Sequence, residues 1–210
     1  MFDAKSIIEA LVEGDEGKLT ALVHEALDRG VSAGQILSDG LMSGMDIIGE
    51  KMENEDMFIP EVLKSAKAMS NVVQILTPLL AEGEVRVAGK VVIGTVKGDL
   101  HDIGKNLVAM MLESAGFEVY NLGVDVTPEK FIAEIKARKA NLLCLSALLT
   151  TTMPMMKKTI AAVTDGGLRD QVKILVGGAP LTQKFADDIG ADGYASDAGS
   201  AVKAAKTVLT

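Results

Sequence analysis

The 210-residue chain has two histidines, and one of them, His101, stands where an imidazole could do chemistry. Asp99 precedes it by two residues and Asp102 follows it directly, within the stretch Val91-Val-Ile-Gly-Thr-Val-Lys-Gly-Asp-Leu-His-Asp-Ile-Gly104. β-branched residues feeding a glycine-containing turn and then an apolar-periodic run read as strand, turn and helix, the first half of a βαβ unit. Ligands in such folds sit outside the carboxyl ends of the strands, where this turn lies.

Three chemistries compete for the turn. A phosphate loop is suggested by Gly98 and Gly104-Lys105. However, five residues separate the glycines instead of four, and Asn106 stands where a magnesium-binding Ser or Thr belongs. Asp99 and Asp102 would also repel a polyphosphate, so this reading is excluded. A purely structural turn is the second, with Asp102 capping the helix, Asp99 bracing the loop and His101 merely exposed. In the third, His101 is an axial metal ligand whose other ring nitrogen is oriented by Asp99. One imidazole cannot build a metal site unaided, but a cofactor that brings its own metal and equatorial ligands needs only one. Local chemistry leaves the second and third readings open.

The elements that position this turn follow from periodicity. Residues 1–82 read as helices alone: Phe2–Val12, Asp15–Arg29 ended by Gly30, a longer helix capped by Ser32, and a fourth opened by Pro60 and running to about Leu80. Four amphipathic helices with short connections predict a small antiparallel bundle. His24 lies in the second of them with no ligating neighbour and reads as a surface residue. Ala81–Gly89 breaks the helical pattern, and residues 83–89 are assigned as the linker.

From residue 90 to 210 strand-like runs alternate with helical ones. The strands are Val91–Gly94, Glu118–Asn121, Leu142–Ser146, Lys173–Val176 and Gly193–Ala195. The helices are Ile103–Ala115, Pro128–Arg138, Met153–Val163, Leu181–Ile189 and Ala198–Val208. Such alternation predicts an α/β fold: a doubly wound, flavodoxin-like (Rossmann-like) five-stranded parallel sheet of order 2-1-3-4-5, switching direction between the first and third strands. Asp99 and His101 follow strand one, Ser146 ends strand three, Gly177-Gly178 follows strand four and Asp197 follows strand five. All therefore reach one edge of the sheet. Gly177 and Gly178 lack side chains where a bulky ligand would need room, and they also suit a plain turn before Ala179-Pro180.

At this point a resemblance enters. Asp99-Leu100-His101-Asp102-Ile103-Gly104 matches the Asp-x-His-x-x-Gly signature of cobalamin-binding domains, and Ser146-Ala147-Leu148 and Gly177-Gly178 follow in the order of that signature. With its helical first part similar to the family's cap domain, the chain resembles the small corrinoid proteins of methyltransferase systems and the cobalamin module of methionine synthase. The resemblance implies a cobalamin or related corrinoid, methylcobalamin in the loaded form, with the cofactor's lower base displaced and its nucleotide tail threaded into the sheet domain. It further implies that His101 takes the vacated position on cobalt and that Asp99 accepts the imidazole's other proton. Thr152 takes the hydroxyl position behind Asp99, where methionine synthase has Ser. Ser146 and Thr150 face the lower base, while Leu148, Gly177 and Gly178 shape the tail's channel. Asp102, Gly104 and Asp197 complete the implied cofactor-binding set. In the cap, Met52, Ile59 and Val62 take the positions that cover the upper face, and Ala81–Gly89 becomes a hinge.

The function implied is a methyl-carrying corrinoid protein, a shuttle without a substrate site of its own. One substrate-specific methyltransferase loads the methyl from a methylamine, methoxylated aromatic, methanol or betaine. A second delivers it to tetrahydrofolate or coenzyme M, and a reductive activase rescues oxidised cobalt. Two cobalamin alternatives are the small subunit of an adenosylcobalamin mutase, which lacks a four-helix cap, and a cobalamin-dependent sensor, whose cap carries a Trp this chain lacks. A plain flavodoxin-like protein would bind a flavin and lack the Asp99/His101 pair.

Composition sets further bounds. A net charge of −8 argues against nucleic acid or an anionic membrane as partner. The single cysteine, Cys144, lies in Leu142-Leu143-Cys144-Leu145, so it reads as a buried thiol and excludes a disulfide framework. No run of 18 apolar residues occurs, and the amino terminus has no signal-peptide pattern, so a cytoplasmic protein is expected.

Overall fold

The computed structural model describes residues 3–80 and 88–210. They form two compact units, one helical and one built on a sheet. The expected linker and hinge at 81–89 fall mostly outside the described residues.

In the helical unit, α1 (Ala4–Val12) and α2 (Glu16–Asp28) are each started by an aspartate. Asp3 accepts from the Ser6 N–H at 3.2 Å and Asp15 from the Lys18 N–H at 3.0 Å. Ser32 accepts from the Gln35 N–H and opens α3 (Ala33–Gln35), which runs through a π-helical stretch (Ile36–Met42) into α4 (Ser43–Glu53). α5 (Ile59–Leu76) begins with Pro60 in its first turn and ends in a 3₁₀ turn, Thr77–Leu79. α1 packs against α2, α4 and α5, and α5 also packs against α2 and α4. Ile7, Leu11, Leu19, Val23, Ile48, Val62, Met69 and Val72 are buried in this unit. The glycine pair Gly40 and Gly44 lets α1 come close. A Cβ on either would stand 2.9 Å from Ile7 Cγ2 or 2.8 Å from Leu11 Cδ2.

The sheet unit has strands β1 (Lys90–Thr95), β2 (Glu118–Asn121), β3 (Leu142–Ser146), β4 (Lys173–Gly177) and β5 (Gly193–Ala195). All pair in parallel in the order β2-β1-β3-β4-β5, as the sequence predicts. Between them run α6 (Ile103–Ser114), α7 (Pro128–Arg138), α8 (Met153–Asp165) and α9 (Gln183–Ile189), and α10 (Ala198–Leu209) closes the chain. Because helices cover parallel sheets on both faces, the strands are near-continuous apolar runs: β1 is buried from Val91 to Thr95 and β3 from Leu142 to Leu145. Val92, Leu143, Leu145, Ile174 and Val176 pack with Phe131 and Ile135 of α7 and with Met156, Ile160 and Val163 of α8. Register brings Thr95, Ser146, Gly177 and Ala195 into one row at the carboxyl edge, across β1, β3, β4 and β5. That row frames the switch point between β1 and β3.

Candidate functional site

Asp99 is the centre of the site. It is fully buried, and five donors converge on its carboxylate. Oδ1 accepts from the His101 N–H at 3.1 Å and lies 2.7 Å from His101 Nδ1. Oδ2 accepts from Thr152 Oγ1 at 2.7 Å, from the Leu148 N–H at 2.8 Å and from the Leu149 N–H at 3.3 Å. Burial pushes the Asp99 carboxyl upward, but the bonds from Thr152, His101 and Leu148 outweigh it and hold the group well below the usual carboxylate range. Asp99 is thus a permanent anion, and it fixes the imidazole. With Nδ1 donating to Oδ1, the ring's protonated nitrogen is set and the lone pair of Nε2 points away from the carboxylate. The His101 side chain is half exposed, and Nε2 has no hydrogen bond among the described residues.

Thr152 has one hydroxyl hydrogen and two acceptors in reach, Asp99 Oδ2 at 2.7 Å and the Leu149 carbonyl at 2.8 Å. The charged oxygen is the stronger acceptor. Thr95 was not foreseen as part of the site. Buried at the end of β1, it donates its hydroxyl to the His101 carbonyl at 2.8 Å. A hydroxyl at the end of an otherwise apolar buried strand was the available signal, since buried polar groups find partners. Lys105 was also missed. It is buried, with its ammonium on the side-chain oxygens of Asn106 and Asn121, and burial lowers its pKa while Asp102 opposes the shift. Asn106 in turn donates to Asp102 at 3.0 Å and accepts from Asn121 Nδ2 at 3.0 Å, and the bonds to Asn121 tie the start of α6 to the end of β2.

The other expected residues fall as follows. Asp102, just before α6, and Gly104, on its first turn, are exposed, and a Cβ on Gly104 would meet nothing within 4 Å. Ser146 is partly buried, and Leu148 and Thr150 are exposed on the loop after β3 that delivers the N–H groups to Asp99. Gly177 and Gly178 lie at the end of β4. Gly178 has φ +141, and a Cβ there would stand 1.9 Å from the Ala147 carbonyl oxygen, so its own neighbouring loop already demands glycine. Asp197 follows β5, three strands from β1. Its carboxylate caps α10, accepting from the Ser200 N–H and from Ser196 Oγ. In the helical unit Met52 is partly buried in α4, Ile59 is half exposed at the start of α5, and Val62 is fully buried.

Leu100, Ile103, Leu148 and Leu149 are exposed large apolar side chains, Leu100 to 72% and Ile103 to 82%, in the two loops that carry the Asp99–His101 pair. Apolar groups gathered beside a single outward imidazole suit a broad, flat, largely apolar ligand face. No group of three or more His, Cys, Asp or Glu that could hold a metal ion exists among the described residues, and the nitrogen turned away from Asp99 here is His101 Nε2.

Comparison with known proteins decides between these possibilities. Residues 89–203 match the family model described as a B12 binding domain, and residues 4–77 match a second model of the same description. A corrinoid protein of Desulfitobacterium hafniense is 41% identical over 206 residues, covering 96% of this chain and 94% of that one. The trimethylamine corrinoid protein of Methanosarcina barkeri is 39% identical over 203 residues, with 96% and 94% coverage. The chain belongs to the corrinoid proteins of methyltransferase systems. A solved structure of the methanol:cobalamin methyltransferase complex from Methanosarcina barkeri superposes on the corrinoid protein with a TM-score of 0.85 at 29% identity, covering 98% of this chain and 79% of that chain. The match over 4–77 takes in the helical unit, and the match over 89–203 takes in the sheet unit with the Asp99–His101 pair.

The residues present fit a corrinoid: one imidazole with a free nitrogen, an anion setting its tautomer, an apolar surround, and open space over Gly104. No helix of the described residues is long and apolar enough to cross a membrane. Cys144 is buried, and burial pushes its thiol up to about 12.

Proposed function

We propose that His101 is the axial ligand through which this corrinoid protein holds its cofactor, with Asp99 and Thr152 as the relay behind it. The observation that carries the reading is the five-donor Asp99 carboxylate at 2.7 Å from His101 Nδ1, which leaves the Nε2 lone pair turned away from it and able to bind a metal. The corrinoid's cobalt, when bound, supplies the centre that accepts and gives up a methyl group. The chain's own residues do the rest. Asp99 keeps the proton on Nδ1, Thr152 and the Leu148 and Leu149 N–H groups hold Asp99 in place, and Thr95 fixes the main chain at His101. Ser146, Leu148, Thr150, Gly177 and Gly178, at the carboxyl edge of the sheet, would hold the cofactor's nucleotide tail. Of the cap residues that the resemblance implies, Ile59 is half exposed and Met52 partly buried, and these two would be free to shield a bound cofactor, whereas Val62 is fully buried in the helical unit and serves its core.

The protein carries a methyl group and partners a methyltransferase. In the fuller reading a substrate-specific enzyme loads the methyl, a second methyltransferase passes it to tetrahydrofolate or coenzyme M, and a reductive activase restores the reduced cofactor, all in the cytoplasm. Methylated amines are the first donor class to test, as the trimethylamine relative suggests. The test is reconstitution of the apoprotein with hydroxocobalamin, followed by absorption spectroscopy of wild type and His101→Ala. Wild type should bind with a lower nitrogen ligand and H101A should bind in a base-off form that cycles methyl groups poorly. An identical lower-ligand spectrum in H101A would overturn the assignment.

A further inference from the structure

The turn that carries Asp99 is gripped from a second side, by a residue that the cobalamin signature does not contain. Asp125, in the loop after β2, is one of three non-glycine residues with positive φ among the described residues, at 55°. Asp tolerates this left-handed conformation better than most residues, but it still needs something to hold it there. Its side chain supplies that. Oδ1 accepts from the Gly98 N–H at 2.7 Å and Oδ2 from Lys97 Nζ at 2.8 Å. Its own N–H donates to the Asp99 carbonyl at 3.0 Å. Residues 97, 98 and 99 are therefore each tied to Asp125.

The next residue continues the seam. Val126 bridges to Val96 in parallel register and donates its N–H to the Thr95 carbonyl at 3.0 Å. β2 and β3 flank β1 on opposite sides, so the two sets of contacts reach Asp99 from opposite directions. The loop after β3 holds its carboxylate, and Asp125 after β2 holds its main chain. Gly98, with φ +86, is the flexible residue between β1 and Asp99, and its N–H is the one Asp125 takes.

We propose that Asp125 is a positioning residue for the Asp99–His101 pair: by fixing Lys97, Gly98 and the Asp99 carbonyl, it sets the direction in which His101 presents Nε2. This rests on the reading of His101 as the cofactor's ligand. Asp125→Gly is the informative variant, because glycine adopts φ 55° without strain and removes only the carboxylate. Asp125→Asn is its conservative partner, since it tolerates the same conformation and keeps an oxygen for the Gly98 N–H.

The experiment reconstitutes wild type, D125G, D125N and H101A with hydroxocobalamin and measures affinity by titration and lower ligation by the absorption spectrum. D125G should bind about tenfold more weakly, the scale of one charge-assisted hydrogen bond, with a clear base-off fraction. D125N should stay within about threefold of wild type and base-on. Wild-type affinity and full base-on ligation in D125G, with H101A base-off, would overturn the role of Asp125 and leave His101 as ligand. Unchanged lower ligation in H101A would instead remove the reading on which both rest. Hydrogen exchange on wild-type apoprotein tests the same point without substitution: amides of Gly98, His101 and Asp125 should open together, within about threefold in protection. Much faster exchange at Gly98 and Asp125 than at His101 would show that the contact does not hold the loop.

Discussion

Replacing Thr152 by Val removes one hydroxyl from a buried anion and changes almost nothing else in shape. Its magnitude can be worked from the contacts. Asp99 Oδ2 has three donors, Thr152 Oγ1 at 2.7 Å, Leu148 N at 2.8 Å and Leu149 N at 3.3 Å, so the oxygen is not left bare when the first is lost. A hydrogen bond to a charged group contributes about 1.5–3 kcal/mol, and with two donors remaining the lower end applies, about 1.5 kcal/mol. For a chain of this size that corresponds to a fall in Tm of about 3–6 °C. Thr152→Ser, which keeps the hydroxyl, should recover most of it.

The pH dependence gives this test its discrimination. Asp99 is held below the ordinary value of 3.8, so its hydrogen bonds stabilise the fold fully above that value and the contribution is lost as pH falls through the lower folded value. The unfolded state is common to both proteins, so the gap between wild type and T152V should stay constant from pH 7 down past the ordinary carboxylate value and narrow only as the pH falls through the lowered folded values. Were the hydroxyl spent on the Leu149 carbonyl instead, the gap would not depend on pH. Urea unfolding or calorimetry across this range decides the matter. A gap that is flat with pH, or smaller than about 0.3 kcal/mol at pH 7, would refute the relay as described.

Other outcomes follow from the same geometry. Gly178→Ala would place a Cβ at 1.9 Å from a backbone oxygen in a left-handed conformation, and should cost about 3 kcal/mol or more in chemical denaturation and weaken corrinoid binding with it. Cys144, its thiol pushed up to about 12 by burial, should not react with a thiol reagent at pH 8 until the protein is unfolded. Stability should also fall above pH 9, where the unfolded thiol ionises and the folded one does not. Ile59→Ala, at the half-exposed start of α5, should speed photolysis of bound methylcobalamin if Ile59 covers the cofactor, and an unchanged rate would count against that role.

Most of the sheet unit was legible because its signals are local. β2, β3 and β5 run over the residues expected from the sequence, and β4 extends one residue further, to Gly177. α9 starts at Gln183, two residues later than periodicity suggested, because Thr182 caps it by accepting from the Phe185 N–H. The Asp-x-His spacing announced the Asp99–His101 pair, and Thr152 came from the resemblance. What stayed hidden depends on distant partners. The π-helical stretch Ile36–Met42 lies where Gly40 and Gly44 meet Ile7 and Leu11 of α1, an approach that periodicity does not encode. Thr95, Lys105 and Asp125 gain their roles only once β1, β2 and β3 lie side by side. Asp197 shows the converse: it reads as a site residue by position, yet its carboxylate is engaged in starting α10.

The central claim is that His101 Nε2 binds the cofactor's metal. Label the protein's histidines with nitrogen-15, reconstitute it with unlabelled cobalamin, reduce the cobalt to its paramagnetic divalent form and record the electron paramagnetic resonance spectrum. The account expects the nitrogen superhyperfine splitting to change from a triplet to a doublet on labelling, to survive in His24→Ala, and to vanish in His101→Ala. A triplet that persists in the labelled wild type would mean that the nitrogen on cobalt belongs to the cofactor's own base, and would contradict the account.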